Sequence, residues 1–152
     1  MSKARASGFQ ERKIMTHTKL LIDMIEDHLN WLKTGGTEGK RLIKVFVELP
    51  NINLSDCDLS ASIIRHVNLK GSNLENTNFK HADLSFSDLS NCNLDGVSFK
   101  HANLAFANLE NAHLHKTDFS YADLTGANFE NTNTGTCYLK TAKGFGREDY
   151  GE

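Results

Sequence analysis

Large apolar residues recur at every fifth position through the middle of the chain. The unbroken run is Leu54, Leu59, Ile64, Leu69, Leu74, Phe79, Leu84, Leu89, Leu94, Phe99, Leu104, Leu109, Leu114, Phe119, Leu124 and Phe129. Five residues turn an α-helix through about 500°, so these residues would not share a helical face, and on a flat strand an odd step alternates faces. The pattern therefore predicts a backbone that turns a corner every five residues.

Each pentad is numbered here from its large residue, position 0. Position −2 holds a small or compact residue, such as Cys57, Ala82 or Ala102. We expect positions −2 and 0 to point inward and positions −1, +1 and +2 to point outward. The run of large residues fails at Thr134 and resumes at Leu139.

A longer repeat of twenty residues is superimposed on the pentads. Phe79, Phe99 and Phe119 lie twenty apart, and HADLSFSDLSNCNLDGVSFK aligns with HANLAFANLENAHLHKTDFS. Four pentads then form one square coil, and residues in successive coils stack. With strands about 4.8 Å apart, residues 51–142 form about 4.6 coils over roughly 22 Å. The sequence predicts an all-β solenoid, a quadrilateral β-helix of four to five coils.

The A(D/N)LXX pentads resemble the pentapeptide repeat family. Two examples are Ala82-Asp83-Leu84-Ser85-Phe86 and Ala122-Asp123-Leu124-Thr125-Gly126. The resemblance covers residues 51–142, about 60% of the chain. It implies a right-handed coil, and it specifies fold more than function because family members serve varied roles.

Residues 16–40 are predicted to form a cap of one helix and a glycine-rich turn, since solenoid ends expose backbone and apolar interior. The apolar stripe at helical spacing is Leu21, Ile25, Leu29 and Leu32, widened by Leu20, Met24 and Trp31. Gly35 and Gly36 end the helix. The stripe is interpreted as core rather than as a cofactor or membrane face.

The remaining segments complete the predicted organisation. Residues 1–15 are a flexible tail, with a secretion or targeting role as the alternative. Residues 41–142 are the solenoid, and its first coil is imperfect because Lys44 holds a central position. Residues 143–152 are a C-terminal tail in which Phe145 or Tyr150 folds over the last coil, or two last coils meet in a dimer.

Composition and charge narrow the function classes. The chain has 152 residues, with 17 basic and 19 acidic side chains and a net charge of −2. The net charge argues against a broad cationic surface for nucleic acid or membrane. Mean hydropathy is −0.44, so no membrane span is expected. Three cysteines cannot form a disulfide framework, which favours a reducing, cytoplasmic setting. The resemblance to the pentapeptide repeat family implies a bacterial source.

No catalytic motif is found, and we predict neither an enzyme nor a cofactor. There is no phosphate-binding glycine loop, nucleophile elbow or metal-spaced Cys/His set. Cys57, Cys92 and Cys137 all hold position −2 and are interpreted as small buried residues. The stacked His81 and His101 lack the two further ligands that a tetrahedral metal site requires.

Aromatic residues at outward +2 positions form the candidate interaction surface. Phe86 and Phe106 stack in one column above His66, and His81, His101 and Tyr121 line the neighbouring corner. Exposed apolar patches often bind partners. The alternatives are that the rings pack on the N-terminal helix or merely cover the corner. The protein partner is unidentified, and a homodimer is left open.

A DNA-mimicking protein that binds or protects DNA gyrase is the alternative function that the resemblance implies. Residues 51–142 contain ten acidic and six basic residues. The net charge of −4 is far from the 13 or so charges that about 22 Å of duplex DNA carries. The basic residues Lys80, Lys100 and Lys140 also fall in one column. A non-catalytic protein-interaction module is therefore the favoured function.

Asparagine is the most unusual feature of the composition, with 15 in the chain and 14 between Asn51 and Asn133. The twenty-residue repeat places them in columns. One column contains Asn53, Asn73, Asn93, His113 and Asn133, and another contains Asn91, Asn111 and Asn131. We expect amide ladders along these columns, as in other stacked-strand assemblies.

Overall fold

The computed structural model describes residues 19–146, and the chain divides into two compact units, Met1–Leu42 and Ile43–Glu152. Helix α1 covers residues 19–33 of the first unit. Strands β1 (Ile43–Val45) and β2 (Ile63–Arg65) belong to the second unit. Within residues 19–146, no helix is long and apolar enough to cross a membrane.

The buried face of α1 differs from the predicted stripe. Leu21 and Ile25 are buried as expected, but the next buried position is His28, which is fully buried. Leu29 is 41% exposed instead. The reason is a hydrogen bond, since the Leu42 N–H donates to Nδ1 of His28 at 3.0 Å. A partnered imidazole can occupy a buried position that the apolar pattern assigns to leucine.

Parallel pairing between residues twenty apart builds the second unit. Strands β1 and β2 pair in parallel, with Ile43 opposite Ile63. The same offset recurs in isolated bridges, for example Asn73↔Asn93 and Asn103↔Asp123. This is a solenoid in which each repeat of twenty residues pairs with the next, as the sequence predicts.

A left-handed backbone conformation at position +2 produces the corners. Every fifth residue from Phe46 to Asn131 has a positive φ, between 52° and 70°. At most corners the N–H three residues after the central residue donates to its carbonyl, as from Ala82 to Phe79 at 3.0 Å. These β-turns let each pentad change direction while both apolar positions face inward.

The core consists of the central residues and the small residues at position −2. Twelve central residues are less than 2% exposed: Leu59, Leu69, Leu74, Phe79, Leu84, Leu89, Leu94, Phe99, Leu104, Leu109, Phe119 and Leu124. Phe79, Phe99 and Phe119 stack with ring centroids 5.5 and 5.2 Å apart. At the end of the described chain, Phe145 contacts Phe129 edge-on at 5.0 Å; Tyr150 lies outside the described residues.

Asparagine and aspartate at position −1 have a role that the predicted ladders did not include. All fourteen between Asn53 and Asn133 accept, through Oδ1, the backbone N–H two residues later: Asn53, Asp58, Asn68, Asn73, Asn78, Asp83, Asp88, Asn93, Asn103, Asn108, Asp118, Asp123, Asn128 and Asn133. This local bond satisfies the outward N–H at position +1. It accounts for the abundance of both residue types.

The amide ladders form only in part. Asn93 donates to Asn73 at 3.2 Å as expected. Among residues 19–146, however, no side-chain bond joins the corner residues Asn91, Asn111 and Asn131 to one another. Bonds between repeats form mainly at position −1, as from Asn78 to Asp58 at 2.9 Å.

Hydroxyl and thiol groups at position −2 bond to the preceding repeat. Thr77 and Thr117 donate to the carbonyls of Leu54 and Leu94 at 2.8 and 2.9 Å. Cys92 Sγ donates to the Leu69 carbonyl at 3.0 Å, and burial raises the pKa of this thiol to about 11. Cys92 is buried as predicted, whereas Cys57 and Cys137 are half-buried.

Ser87 tests how much these bonds stabilise the solenoid. Its Oγ accepts the Val67 N–H at 3.1 Å and donates to the Ile64 carbonyl at 2.7 Å. Ser87→Ala removes the hydroxyl that bridges these two buried backbone groups, so we expect the free energy of unfolding to fall by about 1–2 kcal/mol. Urea denaturation measures the change. The control Ser55→Ala keeps the backbone N–H that Ser55 uses, and equal midpoints for the two variants would contradict the expectation.

Candidate functional site

Four rings at one corner of the solenoid form the phenylalanine column: Phe46, His66, Phe86 and Phe106. Successive ring centroids lie 4.5, 4.8 and 5.1 Å apart, with interplanar angles of 21°, 5° and 14°. All four residues hold position +2 with φ between 52° and 58°. The corner geometry therefore sets the spacing and directs each side chain away from the core.

The phenylalanines of this column are open to solvent. Phe46 is 76% exposed, Phe86 51% and Phe106 56%. Stacking covers the ring faces, while the ring edges remain accessible. The result is a narrow apolar ridge at a fixed rise per repeat.

A second stack, the histidine–tyrosine column, occupies the neighbouring corner. His81, His101 and Tyr121 stack with centroids 4.9 Å apart at both steps. Tyr121 is 62% exposed. Since His81 and Phe86 belong to successive corners, the two columns border one face of the solenoid. The structure thus brings the six predicted surface residues into two adjacent stacks.

Phe46 belongs to the phenylalanine column, although sequence reasoning missed it. The signal was present, because Phe46 lies twenty residues before His66. It was overlooked because Lys44 at the central position made residues 42–50 look like an irregular coil. In the structure Lys44 lies in β1, half-buried, and pairs in register with Ile64.

Basic side chains offset the acidic residues on and beside the face between the columns. Arg65 lies 3.7 Å from Asp83, and Lys143 lies 2.7 Å from Asp123. The Lys143 hydrogen bond, helped by Thr125, lowers the pKa of Asp123 to about 2. With these carboxylates paired, the exposed edges of the aromatic rings are the main groups on this face that have no packing partner.

Lys100 pairs with Asp118 at 3.1 Å beside the histidine–tyrosine column. Burial opposes ionisation of Asp118, but hydrogen bonds from Ser120 and Lys100 outweigh it and lower the pKa of this carboxyl. Within residues 19–146, no three His, Cys, Asp or Glu side chains are grouped so as to hold a metal ion.

The repeat and its pairing now identify the family. A family model described as "pentapeptide repeat region" matches residues 62–139, which is 78 of the 152 residues. The chain belongs to the pentapeptide repeat family. The resemblance inferred from the A(D/N)LXX pentads is confirmed. Proteins of this family are generally non-enzymatic structural or interaction modules.

Solved structures of pentapeptide repeat proteins resemble this one. Rfr23 from the cyanobacterium Cyanothece 51142 is 25% identical over 67% of this chain and 87% of its own, with a TM-score of 0.34. The protein alr5209 from Nostoc PCC 7120 is 27% identical over 81% and 89%, with a TM-score of 0.34.

QnrB1, a plasmid-mediated fluoroquinolone resistance protein, is 18% identical over 68% of this chain and 77% of its own, with a TM-score of 0.36. A search of curated protein sequences finds no significant match. None of the three TM-scores reaches 0.5, so the family assignment depends on the repeat itself.

Gly126 holds the corner position that follows Phe106 in the phenylalanine column, and it offers a test of the column's packing. A Cβ on Gly126 would lie 2.6 Å from Cδ1 and Cε1 of Phe106, whereas Ala61 holds the same pentad position with a φ of 57°. We therefore expect Gly126→Ala to destabilise the protein by about 1–3 kcal/mol through displacement of the Phe106 ring. Thermal unfolding measures this. In a Phe106→Ala background the part of the cost that comes from the ring should disappear, leaving the roughly 1–2 kcal/mol of backbone cost for an L-residue in this conformation, and an unchanged cost there would contradict the packing account.

Proposed function

We propose that the chain is a non-catalytic protein-interaction module that binds its partner through the phenylalanine and histidine–tyrosine columns. The observation that carries the proposal is the row of exposed rings at regular spacing. Exposed phenylalanines lose the stabilisation of burial, and contiguous exposed apolar groups on a soluble protein commonly mark binding sites. Here the corner backbone holds them in place.

The charge around the columns suggests the chemistry of the partner. Glu48, Asp88 and the Asp83–Arg65 pair lie at positions flanking the phenylalanine column in sequence. The segment 51–142 has a net charge of −4. We infer a partner surface with an apolar strip that contacts the rings and basic side chains beside it. Such charges would speed association more than they would add affinity.

The finer features of the fold are part of the same proposal. We infer that the solenoid is right-handed, that it has four to five coils, and that residues 16–40 cap its N-terminal end. A cytoplasmic, bacterial setting remains a prediction. These features suit a rigid surface whose edges are protected from non-specific pairing.

The DNA-mimic alternative is less favoured. A mimic of duplex DNA needs rows of unpaired negative charge at phosphate spacing. Asp83, Asp118 and Asp123 are each paired with a basic side chain. These paired carboxylates therefore do not form the rows of unpaired charge at phosphate spacing that a DNA mimic needs.

The variant Phe86→Ser/Phe106→Ser tests the proposed surface. Loss of two stacked, exposed rings should weaken partner binding at least tenfold. The melting temperature should change by only a few degrees, because neither ring is part of the core. Affinity capture from lysate of the source cell, followed by quantitative mass spectrometry, measures partner enrichment.

The control variant is Asn76→Ser/Asn91→Ser, which changes two corner residues outside both columns. A partner retained by wild type and control but lost from the phenylalanine variant would support the proposal. Equal enrichment of all captured proteins by the three forms would refute it.

A further inference from the structure

The backbone ladder opens on one face of the solenoid, between residues 111–115 and 131–135. In the preceding repeat the Leu94 N–H donates to the His113 carbonyl and the His113 N–H donates to the Cys92 carbonyl, both at 2.9 Å. One repeat later the equivalent groups are the Leu114 N–H and the Ala112 carbonyl. Within residues 19–146, neither has a hydrogen-bond partner.

Two departures from the repeat coincide at this opening. Thr134 stands where every preceding pentad from Leu54 onward has a large apolar residue, and His113 stands where most pentads have asparagine or aspartate. A threonine cannot fill the interior as leucine does. Residues 131–135 therefore lack the buried apolar contact that holds other pentads against the core. Departures of this kind concentrate at functional sites in natural proteins.

The opening contains a groove of about 440 Å³. Its polar lining residues are Asp95, Asn111, His113, His115, Asn131 and Asn133. The Oδ1 atom of Asp95 is buried and has no hydrogen-bond partner in the described part of the chain. The volume lies within the range of about 300–1,000 Å³ that is usual for ligand sites.

We propose that this groove binds an extended peptide segment that carries a basic residue. One residue of such a peptide has both groups needed, an N–H to donate to the Ala112 carbonyl and a carbonyl to accept the Leu114 N–H. This is β-strand addition to an open backbone edge. Asp95 lines the groove, so a lysine or arginine of the peptide can form a charge-assisted hydrogen bond with its carboxylate.

The site is independent of the two aromatic columns and uses different chemistry. Backbone bonds fix the peptide's direction, and the side chains of Asn111, Asn131 and Asn133 can bond to its outward groups. A small hydrogen-bonded contact of this kind predicts weak binding, with a dissociation constant of about 1 mM or tighter. It could add to a stronger contact made elsewhere by the same partner.

The test is a titration of the ¹⁵N-labelled full chain with blocked pentapeptides, followed by NMR. The probes are an alternating valine–lysine peptide, its valine–glutamate counterpart, and the lysine peptide N-methylated at its central residue. We expect the lysine peptide to shift the Leu114 and His115 amide signals saturably. The other two should bind at least tenfold more weakly, since one lacks the positive charge and the other the central N–H.

Two variants and one control complete the test. Thr134→Leu restores the apolar centre, so we expect it to close the groove, raise the melting temperature and weaken lysine-peptide binding at least tenfold. Asp95→Asn removes the charge with little change in shape and should weaken the same binding. Ser55→Leu adds a leucine on the same face, away from the groove, and should bind as wild type does.

Equal binding of the lysine peptide by wild type and Asp95→Asn would overturn the proposal, as would equal binding by a folded Thr134→Leu. Peptide-induced shifts that omit Leu114 would also overturn the proposal. The proposal is likewise overturned if a second copy or the chain's own basic N-terminal residues occupy the groove instead of the peptide.

Discussion

The left-handed conformation at every fifth residue is the constraint on which the rest of the structure depends. Fifteen non-glycine residues adopt it, among them Phe46, Asp56 and Lys116. Each such conformation costs roughly 1–2 kcal/mol for an L-residue. Burial of the central residues, the parallel backbone ladder and the Asx bonds at position −1 together offset this cost. A solenoid of short pentads is possible only because all three recur in the same register.

The same register also determines which side chains lie together on the surface of the solenoid. A side chain at position +2 has no freedom to turn inward, so an aromatic residue there is exposed, and residues twenty apart must stack. The phenylalanine and histidine–tyrosine columns follow from this geometry without any special packing. At 111–115 the opposite occurs, because loss of the apolar centre at Thr134 leaves backbone groups open that the register would otherwise pair.

Sequence reasoning predicted the features that depend on periodicity and missed those that depend on single contacts. The central leucines, the twenty-residue offset and the stacking of Phe86 on Phe106 follow from spacing alone. The burial of His28 could not be predicted, because it requires the Leu42 N–H to meet the imidazole. Thr134 was recognised as a break in the run, but a break in sequence does not reveal which backbone groups it leaves unpaired.

Amide hydrogen exchange tests most directly whether the backbone ladder pairs residues twenty apart and is interrupted between residues 111–115 and 131–135. Leu74, Leu94 and Leu114 hold equivalent positions in successive repeats, and the first two donate to carbonyls of the next repeat at 2.9 Å. The account predicts slow exchange at Leu74 and Leu94, and exchange at least a hundredfold faster at Leu114. Protection of Leu114 equal to that of Leu94 would contradict it.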